Sequence, residues 1–350
     1  MNASAAGSGS RPRTLTGPRI ERLSEVARRA GTAAVLVSDP TTVRWLASDA
    51  VEGARALVCA GTAIVIDPSG DPTAARNDEG LAVGLEPALR EFGIAGSDPL
   101  ATDASADRLR SSRRNWVPVG NEVALARAVK DVGEVERIRA AAELVAAGHA
   151  AAREAVREGA SEKEIWAASA GAMATVAGGP VEAVVDLMAG ARTALVGEPP
   201  GDARVRSGEP VLFDLAPCRG DYWADSCATF VVGAPRAKLS IRHAAVRRAL
   251  EAGLAAARPG VEAGAVDAAV RSELARAGLE CPHHTGHGVG LAPQEPPWLT
   301  PGDATALEEG MVIAIEPGAY SGGFGVRLEH LGLIETSGAR LLTNHELSLN

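Results

Sequence analysis

The chain has 350 residues, 46% of them apolar and 23% charged, with four cysteines. That composition excludes collagen-like, disulfide-framed and wholly disordered proteins and leaves room for two domains of ordinary size. Its 44 Asp and Glu against 35 Lys and Arg give a net charge of −9, so no long-range attraction draws it to nucleic-acid backbones or anionic membranes, and both are set aside as partners. Cys59, Cys218, Cys227 and Cys281 form no CxxC pair, which reads as reduced thiols in a cytoplasmic protein.

Residues 1–18 are rich in Ser, Gly and Ala, carry Arg11 and Arg13, and lack the apolar core of a signal peptide. A disordered lead-in is expected there. From Arg19 onward helix-like and strand-like stretches alternate: IERLSEVARRAG has helical spacing and stops at Gly31, AAVLVSD is a short buried-strand run, and ALVCAGTAIVID reads as two strands around Gly61. These predict a small α/β domain over 19–130. From residue 134 the pattern changes to an Ala/Glu/Arg-rich helix over 134–158. Ser161 with Glu164 forms a Ser-x-x-Glu capping box for a second helix reaching about Val176. Two more helices are predicted over 237–257 and 263–277, the first stopped by Pro259-Gly260, with strands over 211–215, 224–232, 312–316 and 325–334. Helix pairs followed by hairpins indicate an α+β domain over 134–350.

The segment VLFDLAPCRGDYWADSCATF carries two carboxylates in strand-like runs. With the turn centred on Arg219-Gly220, Asp214 falls opposite Asp225, their Cβ atoms roughly 5 Å apart. In IAIEPGAYSGGFGVRLEHLGLI the dipeptide Gly322-Gly323 is a two-residue hairpin signal, and it sets Glu316 opposite Glu329. Between the two pairs, CPHHTGHGVGLAPQEPP holds His287 between glycines that let the backbone pass close to a ligand. Carboxylates that close repel unless a cation sits among them. Four carboxylates and one imidazole suit two divalent ions, which can lower the pKa of a water and polarise a carbonyl.

These residues resemble the pita-bread metallopeptidase family, which includes Xaa-Pro aminopeptidases, prolidases, methionine aminopeptidases and the metal-free creatinase. The resemblance covers most of the chain, with VLVSDPTTVRWLAS matching part of the family's N-terminal domain. It implies a pita-bread catalytic domain preceded by the smaller α/β domain, often in a homodimer. It implies that Asp214 chelates one metal ion, that Asp225 and Glu329 bridge two, and that His287 and Glu316 hold the other, the metal being manganese, iron, cobalt or zinc. Arg327 and His283 match family residues near the site.

Two family histidines are missing. Gln294 stands where one is found seven residues after the ligand histidine, and Val196-Gly197 stands at the other position. Gln294 can donate a hydrogen bond to an oxyanion but cannot move a proton near neutral pH. The family's Asp-x-Gly becomes Asp214-Leu215-Ala216, and its Thr-Arg-Thr becomes Cys227-Ala228-Thr229. Loss of that Arg is expected to alter the charge balance of the site. Alternation sends His330 away from Glu329's face, His284 is better placed to reach the pocket although its being next to His283 favours its pointing away, and His243 is expected on the surface of an Arg-rich helix.

The resulting expectation is a dinuclear metal-dependent hydrolase, with Gln294, His283 and Arg327 as candidate catalytic residues, acting on an amide of a short peptide or a small specialised metabolite. A di-iron, oxygen-using enzyme on the same fold and a non-catalytic scaffold are the alternatives. Iron content and oxygen consumption separate the first from a hydrolase, and absence of bound metal marks the second.

Overall fold

The computed structural model describes residues 13–47, 54–66, 85–95, 97–104 and 115–350. The chain divides into two compact units, Met1–Arg127 and Ala128–Asn350. In the first, strands β1 (Arg13–Leu15), β2 (Val35–Val37), β3 (Arg55–Cys59), β4 (Thr62–Ile66), β5 (Leu100–Thr102) and β6 (Trp116–Pro118) form one sheet in the order β1-β4-β3-β2-β5-β6. Helix α1 (Pro18–Arg29) turns Ile20, Leu23, Val26 and Ala27 inward, the spacing that marks it as amphipathic in the sequence. Helix α2 (Pro40–Leu46) starts at Asp39, whose carboxylate caps the Thr42 amide. Helices α3 (Leu85–Glu91) and α4 (Gly120–Ala126) complete the unit. The lead-in expected over 1–18 lies outside the described residues as far as 12. Beyond that point the expectation fails, because Arg13–Leu15 pair with β4 and α1 begins at Pro18.

The second unit repeats one theme, a helix pair packed on a sheet. Helix α5 (Val132–Ala155) opens on an Asp131/Glu134 capping box, and α6 (Glu162–Ala177) on the Ser161/Glu164 box read from the sequence. They cover the sheet of β7 (Ala183–Ala189), β8 (Pro210–Arg219) and β10 (Cys227–Val231), with the short β9 (Tyr222–Trp223) paired to β8. Leu144, Ile165, Leu187, Phe213, Leu215 and Phe230 form the core between them. Helices α7 (Ala237–Ala256) and α8 (Ala263–Arg276) precede the sheet β12-β11-β13-β16-β17, made of β11 (Gly286–Gly288), β12 (Glu295–Trp298), β13 (Val312–Ile315), β16 (His330–Glu335) and β17 (Gly338–Leu341). Strands β14 (Gly318–Ser321) and β15 (Phe324–Arg327) extend the β13/β16 hairpin to its Gly322-Gly323 turn.

That long hairpin splices the two sheets together. Its ladder keeps one register on both sides of a break, Ile315 facing His330 below and Gly318 facing Arg327 above. At the break each strand changes partner: the Glu316 amide donates to Thr285 O at 2.9 Å and the Glu329 amide to Cys227 O at 2.9 Å. The site therefore lies where the β8/β10 sheet, the start of β11 and the hairpin meet. Among the described residues, no helix is long and apolar enough to cross a membrane.

Candidate metal centre

The first hairpin turns one residue later than the sequence reading has it. Gly220 and Asp221 both take positive φ (58° and 67°), a left-handed pair that matches the twist of a two-residue turn and that Asp tolerates. Asp214 consequently pairs with Cys227 rather than Asp225. A turn displaced by one residue moves partners by two, so parity is kept and Asp225 stays on the face that Asp214 occupies. The two carboxyl groups still interact directly. On the other side of β8, Asp186 of β7 pairs with Asp214, adding a carboxylate that the sequence reading missed.

His287 sits at the centre of β11, between Trp298 and Ala314. Its flanking glycines are required by close backbone approach: a Cβ would stand 2.1 Å from Ala314 O at position 286 and 2.4 Å from Pro296 O at position 288. The ring Nδ1 lies 3.0 Å from Gly288 O. A carbonyl only accepts, so Nδ1 carries the proton and Nε2 presents a lone pair. That lone pair faces Glu316 Oε1 at 3.5 Å and Asp225 Oδ2 at 3.7 Å.

Lone pair against carboxylate oxygen is repulsive without a cation between them. Asp225 Oδ1, Glu316 Oε1 and Glu329 Oε1 are all buried with no hydrogen-bond partner. Donor atoms of Asp225, His287 and Glu329 lie within 4.8 Å of one another, as do those of Asp214, Glu316 and Glu329. Burial and mutual repulsion push the Asp225 and Glu329 carboxyls well above their ordinary range, and burial raises Asp214 to about 6 against the pull of Arg327. At Glu316 burial raises the carboxyl, but the contact with His284 and the positive charge of Arg327 outweigh it and hold the group below its usual value. Buried, unpaired oxygens at this density are a set that divalent cations would satisfy.

Arg327 is the buried guanidinium of the site, 4% exposed. It pairs with Asp214, with Asp186 Oδ2 at 3.1 Å, and reaches Tyr320 Oη at 3.5 Å. His283 lines the same cavity; its Nδ1 lies 2.6 Å from His284 O and its Nε2 3.1 Å from the Tyr320 hydroxyl. Burial lowers its pKa and keeps it neutral. Gln294 is exposed at the rim of the cavity. Val196 lines the wall, and Gly197 lies beside Asp186. The cavity measures about 420 Å³, with Val184, Val196, Ala216 and Pro293 as its apolar lining.

Three expectations about neighbouring residues are corrected. His284 does not point away: it lines the cavity with Nδ1 3.0 Å from Glu316 Oε1. The segment before Gly286 is not a strand, so alternation does not govern it. His243 is buried, 6% exposed, on the same stripe of α7 as Leu239, Val246 and Leu250. Ala228 packs in the core with Phe213 and Phe230, on the face of β10 opposite the site, so its small side chain leaves the site's charge unchanged. His330 does turn away from Glu329's side, towards Thr343 and the ring of His345. There it joins a buried group with His149, which stacks on His345 at 4.2 Å.

The sequence profile described as metallopeptidase family M24 matches residues 136–336. The Xaa-Pro dipeptidase of Pyrococcus horikoshii is 28% identical over 345 residues, 95% of this chain and 98% of that protein. The probable dipeptidase PepE of Mycobacterium tuberculosis is 36% identical over 228 residues, 63% of this chain and 60% of that protein, so the match spans less than two thirds of that relative's length. Among solved structures, the prolidase from Pyrococcus horikoshii OT3 superposes with a TM-score of 0.81 at 27% identity, over 95% of this chain and all of that one. The small N-terminal α/β domain and pita-bread domain of prolidases thus account for this fold. With over half its length inside the profile, the chain belongs to metallopeptidase family M24.

Proposed function

We propose that this chain is a dinuclear metal-dependent hydrolase that cleaves an amide C–N bond in a short peptide, with proline at the second position as the first substrate class to test. The observation that carries the reading is the convergence of Asp214, Asp225, His287, Glu316 and Glu329 on one buried locus with three unpartnered oxygens. In this reading those five side chains hold two divalent ions, which supply Lewis acidity toward a carbonyl and lower the pKa of a water. The naming of several relatives as Xaa-Pro dipeptidases supports the substrate class.

The chain's own residues then divide the remaining work. Arg327 fixes Asp214 and Asp186 and spreads their charge. The Tyr320 hydroxyl, donating to His283 Nε2, keeps that imidazole at the cavity wall. Gln294 at the rim donates a hydrogen bond to a substrate oxygen but transfers no proton. The cavity volume falls in the range of about 300–1,000 Å³ common to small-ligand sites, and its apolar wall suits a pyrrolidine ring.

The test is protein stripped by chelator and reloaded separately with Mn²⁺, Co²⁺, Zn²⁺ or Fe²⁺ under anaerobic conditions, then assayed against Xaa-Pro dipeptides and small amides. Metal-restored cleavage of at least one Xaa-Pro dipeptide is the expected result. No cleavage with any ion rejects the peptidase assignment, and turnover that appears only when dioxygen is readmitted rejects hydrolysis.

A further inference from the structure

His284 lines the cavity but stands outside the five-residue metal set. Its Nδ1 is buried without a hydrogen-bond partner, as is Glu316 Oε1, yet the two atoms stand only 3.0 Å apart. His287 Nε2 faces the same oxygen at 3.5 Å. Two imidazole nitrogens therefore converge on one carboxylate oxygen.

Both rings are held in place. His284 and His287 meet edge to face, with ring centroids 5.5 Å apart and planes at 87°, and Trp298 lies against them at 5.6 and 6.2 Å. The His284 carbonyl, 2.6 Å from His283 Nδ1, pins the backbone at that point. His283 also brings a ring nitrogen within 4.8 Å of His284 and Glu316, but both its nitrogens are already engaged, Nδ1 by the His284 carbonyl and Nε2 by Tyr320 at 3.1 Å.

We propose that His284 is a sixth metal donor, so that the ion held by His287 and Glu316 meets two imidazoles. The inference rests on the dinuclear reading above and goes beyond it. Its consequence is an unequal pair of positions. One offers the two nitrogens that flank Glu316 Oε1, whereas Asp214 on the other side has only carboxylates, those of Asp225 and Glu329, to complete an all-oxygen set. Imidazole donors favour zinc, cobalt and ferrous ions, and carboxylates suit manganese and magnesium. The nitrogen-rich position fills first with a borderline ion, and hard ions are confined to the other.

The experiment is calorimetric titration of chelator-stripped full-length chain with Zn²⁺ and Mn²⁺, alongside X-ray absorption of protein carrying a single equivalent of Zn²⁺. His284→Phe keeps an aromatic ring against Trp298 and removes the donor. Two imidazoles per zinc are expected in the unaltered chain, falling to one in H284F, with first-equivalent Zn²⁺ affinity reduced about 10-fold or more and Mn²⁺ affinity changed less. One imidazole per zinc in the unaltered chain, or unchanged Zn²⁺ binding by H284F, overturns the inference while leaving the dinuclear reading intact. An unaltered chain that binds no divalent ion overturns both. Should H284F fail to fold, the imidazole count in the unaltered chain decides alone.

Discussion

Replacing Arg327 by Met tests how the site tolerates its own charge. Arg327 is 4% exposed and faces Asp214 and Asp186, whose side chains are 16% and 29% exposed. Removing one partner of a buried ion pair leaves the other uncompensated, at a cost of about 3–5 kcal/mol. Asp186 can recover part of its hydration, so a loss of about 3 kcal/mol is expected in the metal-free protein at pH 8. The pH dependence has a fixed sign. Burial already holds the Asp214 carboxyl at about 6 although Arg327 pulls it down, so without Arg327 it lies higher still. A carboxyl with a raised folded-state pKa lowers stability progressively as pH climbs from its unfolded-state value to that pKa, so the further rise caused by losing Arg327 adds a cost only above about pH 6. The penalty of R327M must therefore shrink between pH 8 and pH 5. Urea denaturation of both proteins at the two pH values measures it. A loss below about 1 kcal/mol at pH 8, or an equal loss at both, would refute the charge argument.

Other outcomes follow from single residues. Gln294→His supplies an imidazole at the cavity rim, and kcat for the cleaved dipeptide is expected to rise about 10-fold or more at unchanged metal content, since proton transfer contributes that order; an unaltered kcat would mean that Gln294 does not limit the reaction. His149 is buried and its pKa is pushed down to about 3, chiefly by burial. It contributes stability above pH 6.5 that is lost as pH falls toward 3, about 2 kcal/mol at pH 5, and His149→Phe should flatten the fall in Tm between pH 7 and pH 5. Gly148→Ala brings a Cβ to 2.5 Å from Leu215 Cδ2 and 2.8 Å from Ser169 Oγ, so thermal melts should show a loss of about 1–3 kcal/mol from overpacking.

What the sequence made legible was local. The Gly322-Gly323 turn fixed the register around Glu316 and Glu329 because nothing but hairpin geometry is needed to read it. Arg219-Gly220 against Gly220-Asp221 was a choice between adjacent dipeptides, and the tolerance of Asp for left-handed backbone was the available signal. Capping boxes at Ser161 and Asp131 were of the same local kind, and only the first was read. Asp186 was out of reach, because its place beside Asp214 depends on β7 finding β8 across residues 190–209. His284 reaches the cavity together with His283 because residues 281–285 are not a strand, so adjacent side chains there need not point to opposite faces. His243 was within reach, since positions 239, 243, 246 and 250 share one helical face.

Metal stoichiometry tests the central claim most directly. Elemental analysis after loading should give two divalent equivalents per chain, with at least one lost in Asp225→Asn, while circular dichroism confirms that the variant is folded. No bound metal in the unaltered chain, or two equivalents retained when Asp225, His287 and Glu329 are all replaced, would contradict it.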